Sequence, residues 1–198
     1  MRPKSWMNLL SIDQRLKPIP YDGTGIIRED GDANYGFKNL KGDLSLIESI
    51  PELAHDAPLK SLVRSINDPQ TGIFSTGCVM GIVDDDRGYR HSGYIEFALN
   101  SKAAVQDAQN YFPDFFHFDR GLWDQNCQLE VKFDWVLQPA HFLDANLYGF
   151  TCAIIVNTAY AQSREEAAEC WKQSLGLLEM YLSSITIPDE NLIYPPPG

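Results

Sequence analysis

One ten-residue stretch, QLEVKFDWVL at residues 128–137, constrains the fold more than any other part of the chain. Apolar and polar residues alternate along it, so an extended chain places the two kinds on opposite sides. The apolar positions on one side are Leu129, Val131, Phe133, Trp135 and Leu137. This pattern predicts a strand of an antiparallel sheet that has one buried face and one solvated face.

Similar patterns occur in two hairpins, and each hairpin precedes a helical pattern. The predicted elements are strands at 72–83 and 89–100, a helix at 101–111, strands at 128–137 and 147–161, and a helix from 163. A ββα unit is thus used twice, which is compatible with an internal duplication. The sequence predicts the α+β class, with an antiparallel sheet of about four strands and helices packed on one face.

The chain divides into three parts within one predicted domain. Residues 1–70 are expected to form an N-terminal arm and short helices packed on the body, because Trp6 and the leucines after it have near-helical spacing. Residues 71–187 form the predicted core, and residues 188–198 form an extended proline-rich tail. The five-residue turn DDDRG at 84–88 is expected to join the first two strands.

Charge is distributed unevenly along the chain. Residues 1–70 contain 9 basic and 10 acidic side chains, whereas residues 71–198 contain 7 basic and 17 acidic ones. The acidic second part repels the phosphates of nucleic acid and would attract a basic protein. Solubility is the alternative explanation of this charge.

Few features indicate a metal, a cofactor or a membrane. The four cysteines are dispersed without a CxxC motif, so we expect them to be reduced. Asp30 and Asp32 resemble the start of a calcium loop, but its twelfth position is Lys41, a cation. No apolar run approaches the roughly 20 residues of a membrane-spanning helix. We therefore predict a cytoplasmic protein with no metal, no cofactor and no membrane association.

The stretch FPDFFHFDRGLWDQN, residues 112–126, is the strongest candidate for a functional site. Because Pro113 bounds the preceding helix, the stretch is expected to be a long connection without regular structure, and such connections often have a function. Its aromatic rings either cover the open end of the sheet or form an exposed patch with an acidic rim. The candidate binding residues are Asp114, Phe115, Phe116, His117, Asp119, Trp123, Asp124 and His141.

Two classes of function follow from these observations. We favour a non-enzymatic interaction protein that presents an acidic, aromatic face to a basic protein, as an inhibitor, an immunity-like protein, a chaperone or an adaptor would. An enzyme is less favoured because no nucleophile, phosphate-binding or zinc-protease motif is present. The alternative is a small enzyme or ligand-binding domain with a histidine and aspartate cleft near residues 114–144. Neither class decides between a monomer and a homodimer.

Overall fold

A computed structural model of the chain describes residues 5–23, 35–188 and 191–196. The strands are β1 (Met7–Ile12), β2 (Lys17–Ile19), β3 (Ile73–Asp85), β4 (Gly88–Leu99), β5 (Val131–Phe142) and β6 (Leu147–Thr158). The α-helices are α1 (Ala57–Ile66), α2 (Phe112–Asp124) and α3 (Arg164–Leu182). Short 3₁₀ helices cover Leu44–Ser49, Pro51–Leu53, Ala104–Gln106, Ala108–Tyr111 and Leu143–Ala145.

The chain has the predicted α+β class, but the sheet differs from the prediction. The described strands form a six-stranded sheet of order β1-β5-β6-β4-β3, in which β2 also pairs with β5. The hairpins and the β4–β6 pair are antiparallel, whereas β1 and β2 run parallel to β5. The sheet is therefore mixed, and the prediction of about four antiparallel strands is wrong. The arm contributes the additional strands, where its near-helical spacing had suggested a helix.

Helices α2 and α3 lie against the apolar face of the sheet. This is the buried face that the alternation in QLEVKFDWVL predicts. Phe133 and Trp135 are fully buried on β5, and the ring of Phe118 from α2 contacts both of them. The ring of Trp171 from α3 stacks on His91 of β4 at a centroid distance of 5.6 Å. The alternate residues Lys132 and Asp134 are partly exposed and form an ion pair at 2.8 Å.

Two local predictions are wrong for identifiable reasons. Residues 112–124 form helix α2 and not an irregular connection. Pro113 lies in the first turn of this helix, where a backbone amide has no helical acceptor, so the missing N–H of proline costs no hydrogen bond. Residues 101–111 do not form a continuous helix. Asp107 has an extended backbone, and its carboxylate accepts a hydrogen bond from the Gln109 amide, which starts a separate 3₁₀ turn.

The first hairpin is tighter than the sequence suggested. Only two residues, Asp86 and Arg87, separate β3 from β4, and Gly88 follows with a φ of +115°, a conformation that favours glycine. The aspartates beside the turn are paired with arginines: Asp85 with Arg87 at 2.8 Å and Asp84 with Arg164 at 2.6 Å. This pairing reduces the repulsion expected among adjacent carboxylates.

The lysine at the twelfth position of the calcium-like pattern is buried in the folded protein. Asp30 and Asp32 lie outside the described residues, while Lys41 is buried and donates hydrogen bonds to the Thr71 hydroxyl and carbonyl at 2.7 and 2.8 Å. All four cysteines are free thiols. Within the described ranges, no helix is both long enough and apolar enough to span a bilayer.

Candidate functional site

Helix α2 buries one stripe of apolar side chains. Phe115, Phe118 and Leu122 are spaced three and four residues apart, so they project from one side of the helix. Phe115 contacts the ring of Trp135 at 5.8 Å, and Phe118 contacts Tyr181 of α3 at 5.6 Å. This stripe anchors the helix between the sheet and α3, and it accounts for part of the aromatic content of the stretch.

The neighbouring stripe of α2 is exposed and aromatic. Phe116, Asp119 and Trp123 also follow a spacing of three and four residues. Phe116 is 61% exposed and Trp123 is 52% exposed. A phenylalanine and a tryptophan on one helical face supply a large, rigid contact area of the kind enriched in binding hot spots.

The exposed stripe of α2 lies beside the edge strand β1. The Asn8 amide of β1 donates a hydrogen bond to the Asp119 carboxylate at 3.4 Å. The rings of Trp6, just before β1, and Trp123 meet edge to face at 5.4 Å. These two contacts fix the helix along the edge of the sheet.

Strand β1 itself carries exposed apolar side chains. Met7, Leu9 and Ile12 are each more than 40% exposed. Within the described ranges β1 pairs with β5 on one side only, so its outer backbone edge carries no strand. We call the set Phe116, Asp119, Trp123, Met7, Leu9 and Ile12 the α2–β1 surface.

The acidic residues of α2 have different environments. Asp114 is half-buried and accepts a hydrogen bond from the Tyr181 hydroxyl at 3.4 Å. Burial raises the pKa of Asp114 to about 6, although the Tyr181 hydrogen bond and the nearby His117 act in the opposite direction. Asp124 is exposed and faces Arg120 at 3.4 Å. Asp119 and Asp124 thus lie beside the exposed rings, with Asp124 paired to Arg120, whereas Asp114 belongs to the contact between α2 and α3.

The two candidate histidines do not meet. His117 is exposed on α2, whereas His141 lies near the end of β5 and stacks on Tyr148 at 4.2 Å. The rings of α2 contact Phe133 and Trp135 of β5. Six residues of extended strand, about 20 Å, separate His141 from Trp135, the nearer of these two. His141 therefore lies apart from the other candidate residues. In the described part of the chain, no group of three or more histidine, cysteine, aspartate or glutamate residues is arranged to hold a metal ion.

A small groove separates α2 from α3 on the solvent side. Its volume is about 180 Å³, and Phe118, Leu122, Leu177 and Met180 supply its apolar walls. Gly121 also lines it, and a Cβ atom added there would meet nothing within 4 Å. The groove is large enough for one apolar side chain of a partner.

Sequence reasoning identified the aromatic and acidic residues of α2, but it did not identify the exposed apolar residues of β1. Leu9 and Leu10 were assigned to a helical arm, and the parallel pairing of β1 with β5 joins residues about 125 positions apart, such as Met7 and Lys132. The sequence MNLLSI gives no local strand signal, because the adjacent Leu9 and Leu10 interrupt any alternation of apolar and polar residues.

Comparison of the chain with protein-family models, with curated proteins and with solved structures finds no match.

Proposed function

We propose that this protein is a non-enzymatic interaction protein that binds a basic protein partner through the α2–β1 surface. The observation that carries the proposal is the juxtaposition of exposed aromatic rings on α2 with the outer edge of β1, which pairs with no further strand among the described residues. Exposed strand edges bind extended peptide segments by adding a strand, and nearby side-chain pockets provide specificity.

The directions of the side chains support an extended ligand. Asn8 and Leu10 share a side with Phe133 and Trp135 through the β1–β5 register, so this side of β1 faces α2. Met7 and Leu9 point to the opposite side of the sheet. A strand added along β1 would therefore place alternate residues against Phe116 and Trp123 and the intervening residues beside Met7 and Leu9.

A basic partner agrees with the charge of the chain. Residues 71–198 carry ten more acidic than basic side chains, and Asp119 and Asp124 flank the exposed rings of α2. Charges at the rim of an interface accelerate association and select the sign of the partner. The groove at Gly121 offers a place for an apolar residue of the same partner.

The proposal is tested by affinity purification from the native host followed by quantitative mass spectrometry. The wild-type protein is compared with the double variant Phe116→Ala/Trp123→Ala and with the control Tyr148→Ala, which removes an exposed ring far from α2. We expect a basic protein to be retained by the wild type and the control and lost from the double variant. Identical sets of retained proteins for all three baits would contradict the proposal.

A further inference from the structure

A larger pocket lies at the other edge of the sheet, beside β3. Its volume is about 340 Å³, within the range of sites that hold small organic molecules. The outer edge of β3 at residues 75–79 forms one wall, and residues 35–38 and 40 form the opposite one. Among the described strands, β3 and β1 end the sheet on opposite sides, so this pocket is separate from the α2–β1 surface.

Two aromatic rings of the lining are fixed by neighbouring groups. The Tyr21 hydroxyl donates a hydrogen bond to the Thr76 carbonyl at 2.9 Å, and the Tyr21 ring meets that of Phe37 edge to face at 6.4 Å. The Phe37 ring also stacks on the buried Tyr194 at 5.7 Å. These rings are thus in place before a ligand arrives, which lowers the entropic cost of binding.

Gly77 leaves space beside the tyrosines of the pocket. A Cβ atom at this position would lie 3.4 Å from the Tyr21 hydroxyl and 3.6 Å from the Tyr94 ring, and 3.2 Å from the Glu96 carboxylate. A side chain at position 77 would therefore occupy part of the pocket next to both rings. Without it, a planar aromatic molecule can pack against this wall, because aromatic rings associate well edge to face or with offset stacking.

The charged groups around the pocket balance one another. The Lys17 ammonium forms an ion pair with Glu96 and lies 4.7 Å from the centre of the Tyr21 ring. Lys38 and Glu52 add one positive and one negative charge to the lining. A charged ligand would lose its hydration on entry without meeting an excess of opposite charge, whereas an uncharged ligand avoids this cost.

Two titratable groups of the lining stay uncharged at neutral pH. Burial raises the pKa of the Tyr21 phenol, and the charges of neighbouring acidic groups act in the same direction. Burial, followed by Glu52 and Asp56, raises the pKa of the Cys78 thiol to about 12. The phenol and the thiol therefore present neutral surfaces to a ligand.

One polar atom of the lining has no hydrogen-bond partner. Thr76 lies at an irregularity of β3, where the pairing with β4 shifts register between Ser75 and Gly77, and only 2% of it is exposed. Its hydroxyl has no hydrogen-bond partner among the described residues. Buried hydroxyl groups in folded proteins are nearly always hydrogen-bonded, and β-bulges often redirect a side chain next to a functional site. A ligand with a hydroxyl group would supply the missing hydrogen bond.

We propose that the pocket binds an uncharged aromatic molecule that carries a hydroxyl group. The aromatic body packs against the rings of Tyr21 and Phe37, and the ligand hydroxyl forms a hydrogen bond with the Thr76 hydroxyl. The site lies at the edge of the sheet opposite to the α2–β1 surface, so it does not depend on the function proposed above.

Equilibrium dialysis at pH 7 tests the charge preference with three molecules that share a naphthalene ring. They are 2-naphthol, which is uncharged, 2-naphthylmethylamine, which is a cation, and 2-naphthoate, which is an anion. We expect 2-naphthol to bind with a Kd roughly tenfold or more below those of the two ions, because each ion loses its hydration without compensation. No binding of 2-naphthol, or equally tight binding of either ion, would overturn the proposal.

The variant Thr76→Val tests the hydrogen bond. Valine keeps the shape of the side chain and removes only the unpartnered hydroxyl, so we expect an unchanged or higher melting temperature. Binding of 2-naphthol should weaken about fivefold, while naphthalene, which has no hydroxyl, should bind the variant and the wild type equally. An equal effect on both molecules, or none on 2-naphthol, would refute the assigned hydrogen bond.

A second variant, Val79→Trp, locates the site. Val79 lines the pocket and is partly exposed, so an indole there should fill the space and abolish binding of 2-naphthol while the protein stays folded. Val83→Trp is the matched control, because Val83 is partly exposed on the same face of β3 but lies outside the lining. Circular dichroism checks that both variants fold. Wild-type affinity of Val79→Trp for 2-naphthol, or equal losses in both variants, would contradict binding in this pocket.

Discussion

Two glycines, Gly121 in α2 and Gly176 in α3, occupy helix interiors in which alanine would fit. A Cβ atom added at either position meets nothing within 4 Å. Glycine in a helix interior costs about 1 kcal/mol relative to alanine, because its unfolded chain has more conformational freedom to lose. Packing therefore does not explain either glycine, and Gly121 differs from Gly176 in lining the groove between α2 and α3.

We predict that Gly121→Ala and Gly176→Ala each raise the free energy of unfolding by about 0.5–1 kcal/mol. Urea denaturation monitored by circular dichroism measures both values. Gly121→Leu should in addition fill the groove and weaken binding of the proposed basic partner, while Gly176→Leu, on an exposed part of α3, serves as its control. A loss of stability in Gly121→Ala would show that α2 requires the glycine backbone.

At the residue scale, the sequence predicts the burial of a side chain best where apolar and polar residues alternate along a strand. The alternation around Phe133 and Trp135 identifies both as core residues, and both are fully buried. The environment of Asp114 has no such signal, because its hydrogen-bond partner Tyr181 is 67 residues away in the chain. The burial of the Thr76 hydroxyl, which has no hydrogen-bond partner among the described residues, likewise depends on tertiary structure alone.

At the scale of elements, Asp114 makes the packing of α2 on α3 dependent on pH. Burial raises its pKa in the folded protein to about 6 from an ordinary value of 3.8. Between these two values the folded protein binds a proton that the unfolded chain has released. The free energy of unfolding therefore falls as the pH rises, and the stability that protonated Asp114 provides is lost as the pH passes through 6.

Asp114→Asn should remove this dependence, because an asparagine does not titrate and still accepts a hydrogen bond from Tyr181. As the pH rises from 4 to 7, we expect the free energy of unfolding of the variant to increase by roughly 1–3 kcal/mol relative to that of the wild type. Chemical denaturation of both proteins across this range measures the difference. Asp124→Asn, an exposed position on the same helix, is the control and should show little change. Parallel pH profiles for the wild type and Asp114→Asn would refute the expected coupling.

The elements that sequence analysis identified are those with local signals. Strands β3 to β6 and helix α3 have alternation or a capping box, in which Ser163 accepts a hydrogen bond from the Glu166 amide at 3.2 Å. Helix α2 was missed because Pro113 resembles a boundary and because its two aromatic stripes obscure the polar side of the helix. Strand β1 was missed because parallel pairing requires no nearby turn.

At the scale of the whole molecule, the fold has a large apolar core and no metal site within the described residues. Its four cysteines are free, and no cluster of metal-binding side chains occurs in that part of the chain. We therefore expect the melting temperature to stay within about 1 °C in excess EDTA, which is small beside the shift that a 1 kcal/mol change in stability causes. Differential scanning fluorimetry with and without EDTA measures this. A drop of several degrees would indicate a structural metal.

The parallel pairing of β1 with β5 also determines how early β1 can pair during biosynthesis. A ribosome synthesises Met7 about 125 residues before Lys132, its partner in the sheet. At roughly 5–20 residues per second, the nascent chain carries β1 for about 6–25 s before β5 exists to receive it. During this interval the apolar residues of β1 remain available to chaperones. Docking of β1 onto β5 consequently cannot precede the synthesis of β5 during translation, and it completes the edge that we propose binds the partner.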